Sequence, residues 1–379
     1  MNKTEQPLVS ICVTFFNAGK LIRRILDSSL NQTYQNIEII IVDDASVDDS
    51  EKIISEYIVR DKRVKYFRNT KRIFIIESLL KALELAKGEF VIWPGADDWL
   101  SRDFIANGVR NFLKHPDAAG IVPKLISLRG VDRDKFEFFN EVEFPSKIYP
   151  AKWFLRKMHK GGRFINPTLY SLVRKEDMVS ALKYFLKNYC DDPSLPEEFR
   201  KFASRAYGID FMYFTEILSR YNNFVSDNSL VFIKLEHSEN MTFGFEKRKS
   251  MAEFIKAGYY DFLYCRRICA DKFPSHVRRI KVYLGSETLS TAFIYFLRSG
   301  FRPSFLDVRE SKKIIFEYFS YFSFSEVIIT ILLTPLRIIY RSISFIIRAL
   351  VRRVFITEKN QSFILTKEYF LDKNGNFTI

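Results

Sequence analysis

Three short, almost uninterrupted apolar runs constrain this chain most: residues 8–14, 37–42 and 90–93. Runs of four to seven apolar residues without alternation read as strands covered on both faces, as in a parallel sheet. Helical periods separate them. Leu21, Ile22, Ile25, Leu26 and Leu30 share one face, opposite Arg23, Arg24 and Asp27. Ile53, Ile54, Tyr57 and Ile58 mark a second helix, residues 64–67 a short strand, and Leu79, Leu80, Leu83 and Leu85 a third helix. Strand alternating with helix predicts an α/β fold with a mostly parallel sheet and right-handed crossovers.

Two of these strands end in acid pairs, Asp43-Asp44 and Asp97-Asp98, the second after Pro94 and Gly95 stop the run. In a parallel sheet both pairs fall on the same rim, where open α/β sheets bind ligands. Adjacent carboxylates repel unless a positive charge sits beside them, so one reading is a divalent metal carrying a phosphorylated ligand. The other is a solvated turn in which Asp98 or Ser101 caps the next helix. Ser46 and Asp49 have capping-box spacing, with Asp in place of Glu. No Gly-x-Gly-x-x-Gly follows the first strand and no Gly-Lys-Ser/Thr loop occurs, which argues against a dinucleotide or P-loop site.

The 379 residues suffice for two domains, or one large domain with an appendage. A net charge of +14 implies an anionic partner: nucleotide, nucleic acid or membrane surface. The basic residues are scattered or C-terminal and form no recognised nucleic-acid module, so no nucleic-acid partner is expected and nucleic-acid binding is the weaker alternative. Cys12, Cys190, Cys265 and Cys269 read as reduced thiols, and the polar N-terminus lacks an apolar h-region, so a cytoplasmic protein is expected.

Several motifs, in order, resemble the nucleotide-binding half of a family 2 glycosyltransferase with the GT-A fold. They are Val9-Ser10-Ile11-Cys12-Val13-Thr14-Phe15-Phe16-Asn17, Ser29-Leu30-Asn31-Gln32-Thr33-Tyr34, Ile39-Ile40-Ile41-Val42-Asp43-Asp44-Ala45-Ser46, Ala86-Lys87-Gly88-Glu89-Phe90 and Ala96-Asp97-Asp98-Trp99. The resemblance covers residues 8 to about 125 and implies roles. Thr14 and Phe16 line the base pocket, with Phe16 stacking on the base or serving as a core aromatic. Asp44 accepts a hydrogen bond from the base, Asp97 holds the ribose, and Asp98 binds a divalent metal, Mn2+ or Mg2+, that bridges two phosphates. Residues 208–214 resemble the family's Glu-Asp segment, in which Asp210 is the general base; a carboxylate there also suits the helix dipole. Residues 230–237 resemble the strand that closes the domain, and in some relatives a histidine at the place of His237 joins the metal. Three departures stand out: Gly95 where the family often has Asp, Ile209 for the first acid, and residues 72–76 in place of an Asn-x-Gly loop.

Residues 168–173 read as a strand and 190–196 as a loop. Residues 246–310 read as a helical appendage. Between 311 and 356 there are seven Lys/Arg and two Glu, with Arg337, Arg341, Arg348 and Arg352 on one face of a helix and Ile338, Ile339, Ile343, Ile346, Ile347 and Leu350 on the rest. Such a basic amphipathic helix lies on an anionic membrane, the alternative being a helix that packs on the catalytic domain with its arginines in water. The expectation is a GT-A domain at 1–245, the appendage, and a membrane-associating region and tail at 311–379. The chain would be a metal-dependent inverting glycosyltransferase using a nucleotide-diphosphate sugar and a lipid-linked glycan acceptor. It would work in bacterial surface polysaccharide assembly, peripheral on the inner face of the cell membrane. A catalytically silent nucleotide-sugar binder is the alternative.

Overall fold

The computed structural model describes residues 6–132, 135–158, 166–203, 209–236, 305–320, 322–336 and 338, with isolated helical residues between 259 and 290. The chain divides into two compact units, the first ending its main span at Glu236 and the second running His237–Ser362.

In the first unit every residue of β1 (Val9–Phe15) and β2 (Ile37–Asp43) is buried, which is why both runs lack polar alternation. They occupy the middle of a sheet ordered β3-β2-β1-β4-β9, with β3 at Val64–Arg68, β4 at Phe90–Ile92 and β9 at Val173–Arg174. β1 to β4 are mutually parallel and β9 is antiparallel. Helices α1 (Ile22–Leu30), α2 (Ser50–Arg60) and α3 (Phe74–Leu85) make the crossovers. On α1, Ile22, Ile25 and Leu26 are buried while Arg23 and Asp27 face water, as the 3.6-residue period requires. Because the four strands run the same way, the ends of β2 and β4 share a rim, and both acid pairs lie there.

A second sheet, ordered β5-β10-β6-β7, comprises β5 (Trp99–Leu100), β10 (Asn223–Glu236), β6 (Ala118–Asp132) and β7 (Lys135–Val142), with β8 (Lys147–Pro150) on β10. Helix α4 (Phe104–Lys114) links β5 to β6. Its buried Phe104, Ile105, Val109 and Phe112 belong to the same core as β1, β2 and β4. Helix α5 (Ala151–Met158) continues directly from β8. The expected closing strand at 230–237 is the C-terminal part of β10, with Phe232 opposite Leu100 and Ile233 opposite Trp99.

One charged side chain inside an apolar strand organises the first sheet. Glu38, buried on β2, accepts hydrogen bonds from the Ser10 hydroxyl (2.7 Å), the Lys65 ammonium (2.6 Å) and the backbone amides of Lys87 and Gly88. It thereby ties the Lys87-Gly88 turn to β1, β2 and β3. Gly88 fits because a β-carbon there would meet the Ser10 amide nitrogen at 2.6 Å. Burial alone would raise the Glu38 carboxyl; the Lys65 ammonium, the Lys87 amide and the Ser10 hydroxyl outweigh it and hold the group below its ordinary value. A depressed pKa contributes stability above the unfolded value and loses it as pH falls through the folded one. Glu38→Ala is therefore expected to cost about 2–4 kcal/mol at pH 7, because it strands buried donors. Urea melts should show that difference shrinking below about pH 4.5, the carboxyl's ordinary value.

Three local expectations are corrected. Residues 166–169 form a helical turn, α6 (Asn166–Leu169), and of the expected strand only Leu172, bridged to Ile121 of β6, and Val173, paired with Val91 at the edge of the first sheet, make strand contacts; Pro167, which lacks an amide hydrogen, suits the first turn. Leu186–Cys190 is a single π-helical turn continuing α7 (Lys175–Phe185), so Cys190 ends a helix rather than opening a loop; a short helix, α8 (Glu197–Ala203), follows. Ser46 does not cap α2. Its hydroxyl accepts from the Asn17 amide (2.8 Å), and Asp48 takes the Ser50 amide instead. Cys265, Cys269 and Arg337, Arg341, Arg348 and Arg352 lie outside the described residues.

Candidate active site

The rim is built by four loops, those after β1, β2, β3 and β4. After β1, Asn17 takes a positive φ of 54° and its side chain accepts from the Val47 amide (2.9 Å), while the Asp44 amide bonds to the Phe15 carbonyl. The β1 and β2 loops are thus fastened together. Thr14 is buried, and its hydroxyl accepts from the Trp93 indole at 3.2 Å. Phe16 is 36 % exposed on the rim, outside the core.

The first acid pair divides its work. Asp43 is fully buried; its Oδ1 accepts from the Ser46 amide and its Oδ2 from the Tyr66 hydroxyl, both at 2.8 Å, so it closes the turn. Asp44 faces residues 69–74. Its Oδ1 accepts from the Asn69 side chain (3.0 Å) and the Ile73 amide (2.8 Å), and its Oδ2 from the Phe74 amide (2.9 Å). Phe74 is held at φ 65°, a strained conformation for a bulky side chain, at the start of α3. Arg72 lies 3.9 Å from Asp44 Oδ2, and its guanidinium stacks 3.9 Å above the centroid of the Phe16 ring. Residues 72–76, the departure from the family loop, therefore cover Phe16 and Asp44 together.

The second acid pair surrounds Gly95. A β-carbon on Gly95 would stand 2.6 Å from Asp97 Oδ1 and 2.8 Å from Asp98 Oδ2, so the carboxylates crowd the space an Asp side chain would need. Asp97 is half-buried and Asp98 is buried. Asp98 Oδ2 accepts from the Gly95 amide (2.8 Å), whereas its Oδ1 is buried without a hydrogen-bond partner. Burial, and then the charge of Asp97, push the Asp98 carboxyl well above the ordinary carboxylate range, partly offset by the Gly95 amide, the Lys234 ammonium and the Leu235 amide. Lys234 is buried on β10, and the antiparallel register that sets Ile233 against Trp99 brings it opposite Asp98.

A buried, unsatisfied carboxylate oxygen beside a second carboxylate fits a divalent cation. Among the described residues no group of three or more His, Cys, Asp or Glu side chains is placed to hold one. Two carboxylates suit Mg2+ or Mn2+, hard cations that complete their shell with water and substrate phosphates. His237 lies outside the described residues. Asp210 falls in the first turn of α9 (Ile209–Leu218), and its side chain is outside them too. Ile209 is 4 % exposed, an apolar environment that suits isoleucine better than the acid it replaces. The sequence reading did not reach Lys234, Arg72 or Glu38. A charge within an apolar strand was the available signal for Lys234 and Glu38, and only the departure at residues 72–76 marked Arg72.

Residues 10–167 match the family model described as Glycosyl transferase family 2. Glycosyltransferase GlyG of Streptococcus pneumoniae serotype 4 is 34 % identical over 98 residues, 26 % of this chain and 33 % of that protein. The UDP-Glc:alpha-D-GlcNAc-diphosphoundecaprenol beta-1,3-glucosyltransferase WfaP of Escherichia coli is 35 % identical over 102 residues, 27 % of this chain and 40 % of that protein. The matched stretch spans about a third of the length of such curated relatives. The crystal structure of S. aureus TarS 1-349 in complex with UDP-GlcNAc superposes with a TM-score of 0.53 at 16 % identity, over 82 % of this chain and 80 % of that one, a likeness of fold. Fold, motifs and family match agree that residues 10–167 of this chain carry a glycosyl transferase family 2 domain, within a GT-A fold.

Proposed function

We propose that the chain is a metal-dependent, inverting glycosyltransferase that moves a sugar from a nucleoside-diphosphate donor to a hydroxyl of a lipid-linked glycan. The reaction would belong to bacterial surface polysaccharide assembly at the cytoplasmic face of the cell membrane. The observation that carries it is the orphaned Asp98 Oδ1 beside Asp97, on the rim that also bears Phe16 and Asp44. The lipid-linked acceptor is supported by WfaP, whose name specifies a diphosphoundecaprenol acceptor.

In this reading the base stacks on Phe16 and donates to Asp44, Asp97 orients the ribose, and Asp97 and Asp98 hold the cation. When bound, that cation supplies Lewis-acid stabilisation of the leaving diphosphate. Asp210 accepts the proton of the acceptor hydroxyl as its oxygen attacks the anomeric carbon. The bond from that carbon to the diphosphate oxygen breaks on the opposite face, and the nucleoside diphosphate departs. Lys234, opposite Asp98, adds positive charge near the diphosphate.

A thermal-shift panel of nucleoside diphosphates, with and without manganese, tests the binding half. One nucleotide with metal should stabilise the protein by about 2.7 kcal/mol at a hundredfold excess over its Kd. No shift with any nucleotide would overturn the reading. Donor hydrolysis or transfer separates an enzyme from a silent binder. Phe16→Ala should weaken nucleotide binding by about 5- to 150-fold, the equivalent of ~1–3 kcal/mol of stacking, and leave the melting temperature of the free protein in place. Isothermal titration decides it; unchanged affinity would place the base elsewhere.

A further inference from the structure

The second unit contains a helix turned inside out. Residues 324–336 are helical, and the start is fixed by a capping box: the Ser323 hydroxyl accepts from the Glu326 amide (3.4 Å) and the Glu326 carboxylate accepts from the Ser323 amide (2.8 Å). The buried side of this helix is polar. Glu326 is buried against Lys281 (3.3 Å), and Thr330 is fully buried, its hydroxyl bonded to the Glu326 carbonyl. The outer side is apolar. Phe324 is 82 % exposed, Ile331 55 %, Leu332 66 % and Leu336 62 %, with Ile328 and Ile329 also in water. At 100° per residue these six cover one continuous face. Soluble helices place such residues inward, so a face of this size marks something that covers it.

Charge indicates what that is. His237–Ser362 carries 21 Lys/Arg against 11 Asp/Glu, a net +10 of the chain's +14. Lys312 and Lys313, on the preceding helix Phe305–Phe319, are exposed, as is Phe316 between that helix's basic residues and the turn. Residues 327–336 themselves hold no charge. A bare apolar face on a strongly basic unit matches an anionic lipid surface, where apolar side chains enter the acyl boundary and cations stay among the headgroups. The 13 residues are about 20 Å long, short of the ~30 Å hydrocarbon core, and no helix among the described residues is long and apolar enough to cross a membrane.

We infer that residues 324–336 are a membrane wedge: the helix lies in the surface of an anionic bilayer with Phe324, Ile328, Ile331, Leu332 and Leu336 immersed and its polar side on the protein. This stands apart from the donor chemistry and can fail or hold without it. It adds lipid-facing residues upstream of the 338–350 face read from sequence, of which 339–350 lie outside the described residues.

The test is flotation of the full chain with vesicles of phosphatidylglycerol and phosphatidylcholine, against phosphatidylcholine alone. The wild type should float with the anionic vesicles and bind less as salt rises. Ile328→Ser/Ile331→Ser/Leu332→Ser should cut binding by about tenfold or more, and it replaces exposed side chains, so its melting temperature should hold. Lys312→Glu/Lys313→Glu should weaken binding at low salt and flatten the salt dependence. The chain has three tryptophans of its own, so the readout is the difference in emission between Leu332→Trp and the wild type, which should blue-shift with anionic vesicles and be quenched by brominated lipid. Vesicle binding by the triple variant at the wild-type level, or emission from the introduced tryptophan that lipid leaves unchanged, overturns the inference. So does a lipid-free dimer that the triple variant dissociates, which would assign the face to a second copy.

Discussion

Asp98→Asn is expected to abolish the manganese dependence of donor binding and to lower transfer by about 10²–10³-fold or more, since in the proposed mechanism it would remove a charged ligand of the cation that would stabilise the leaving diphosphate. The fold should survive, because the amide oxygen can still accept from the Gly95 amide as Asp98 Oδ2 does. Metal-free stability carries a signature of its own. Burial and Asp97 raise the native Asp98 pKa, so this group stabilises the fold below its unfolded pKa and loses that contribution as pH rises through the native one. The metal-free wild type should therefore lose stability with rising pH in a window that Asp98→Asn lacks. Calorimetric titration of donor with and without manganese, and melts across pH, read both effects. Wild-type transfer with an unchanged metal requirement would remove Asp98 from the metal site.

Asp210→Asn should leave donor affinity within about twofold and lower transfer by roughly 10²–10⁴-fold, the range for removing a general base. The residue sits in the first turn of α9, whose dipole favours a carboxylate whatever its chemistry. The split between binding and turnover is therefore the informative quantity. A parallel loss of donor affinity, or a lower melting temperature that accounts for the lost rate, would make Asp210 a structural cap.

The parallel sheet was legible because burial on both faces leaves no room for polar alternation, and β1 and β2 show that in every residue. Both acid pairs could be placed on one rim for the same reason, since parallel strands share their carboxyl ends. The short edge element at 166–174 was not legible. Only its last three residues meet strands, and the rest packs under α9, where the Tyr213 hydroxyl bonds the Thr168 carbonyl. The Arg72 stack on Phe16 joins residues 56 positions apart, a separation that no local period encodes. In the second unit, sequence showed apolar and basic residues together, but only the capping box and the buried Thr330 decide which side of the helix faces out.

In the proposed reading, in which the base donates to Asp44, that carboxylate bears on which nucleotides can enter. A carboxylate oxygen accommodates two donors. On Asp44, Oδ1 already has two, from Asn69 and Ile73, and Oδ2 has one, from Phe74. One acceptor position remains, with the Arg72 guanidinium 3.9 Å from the same oxygen. A base edge offering a lone N–H flanked by carbonyls fills it without disturbing the loop. An edge offering two adjacent N–H groups needs two positions and must displace a loop hydrogen bond, and if that bond is the one from Phe74, the strained turn that starts α3 comes free with it.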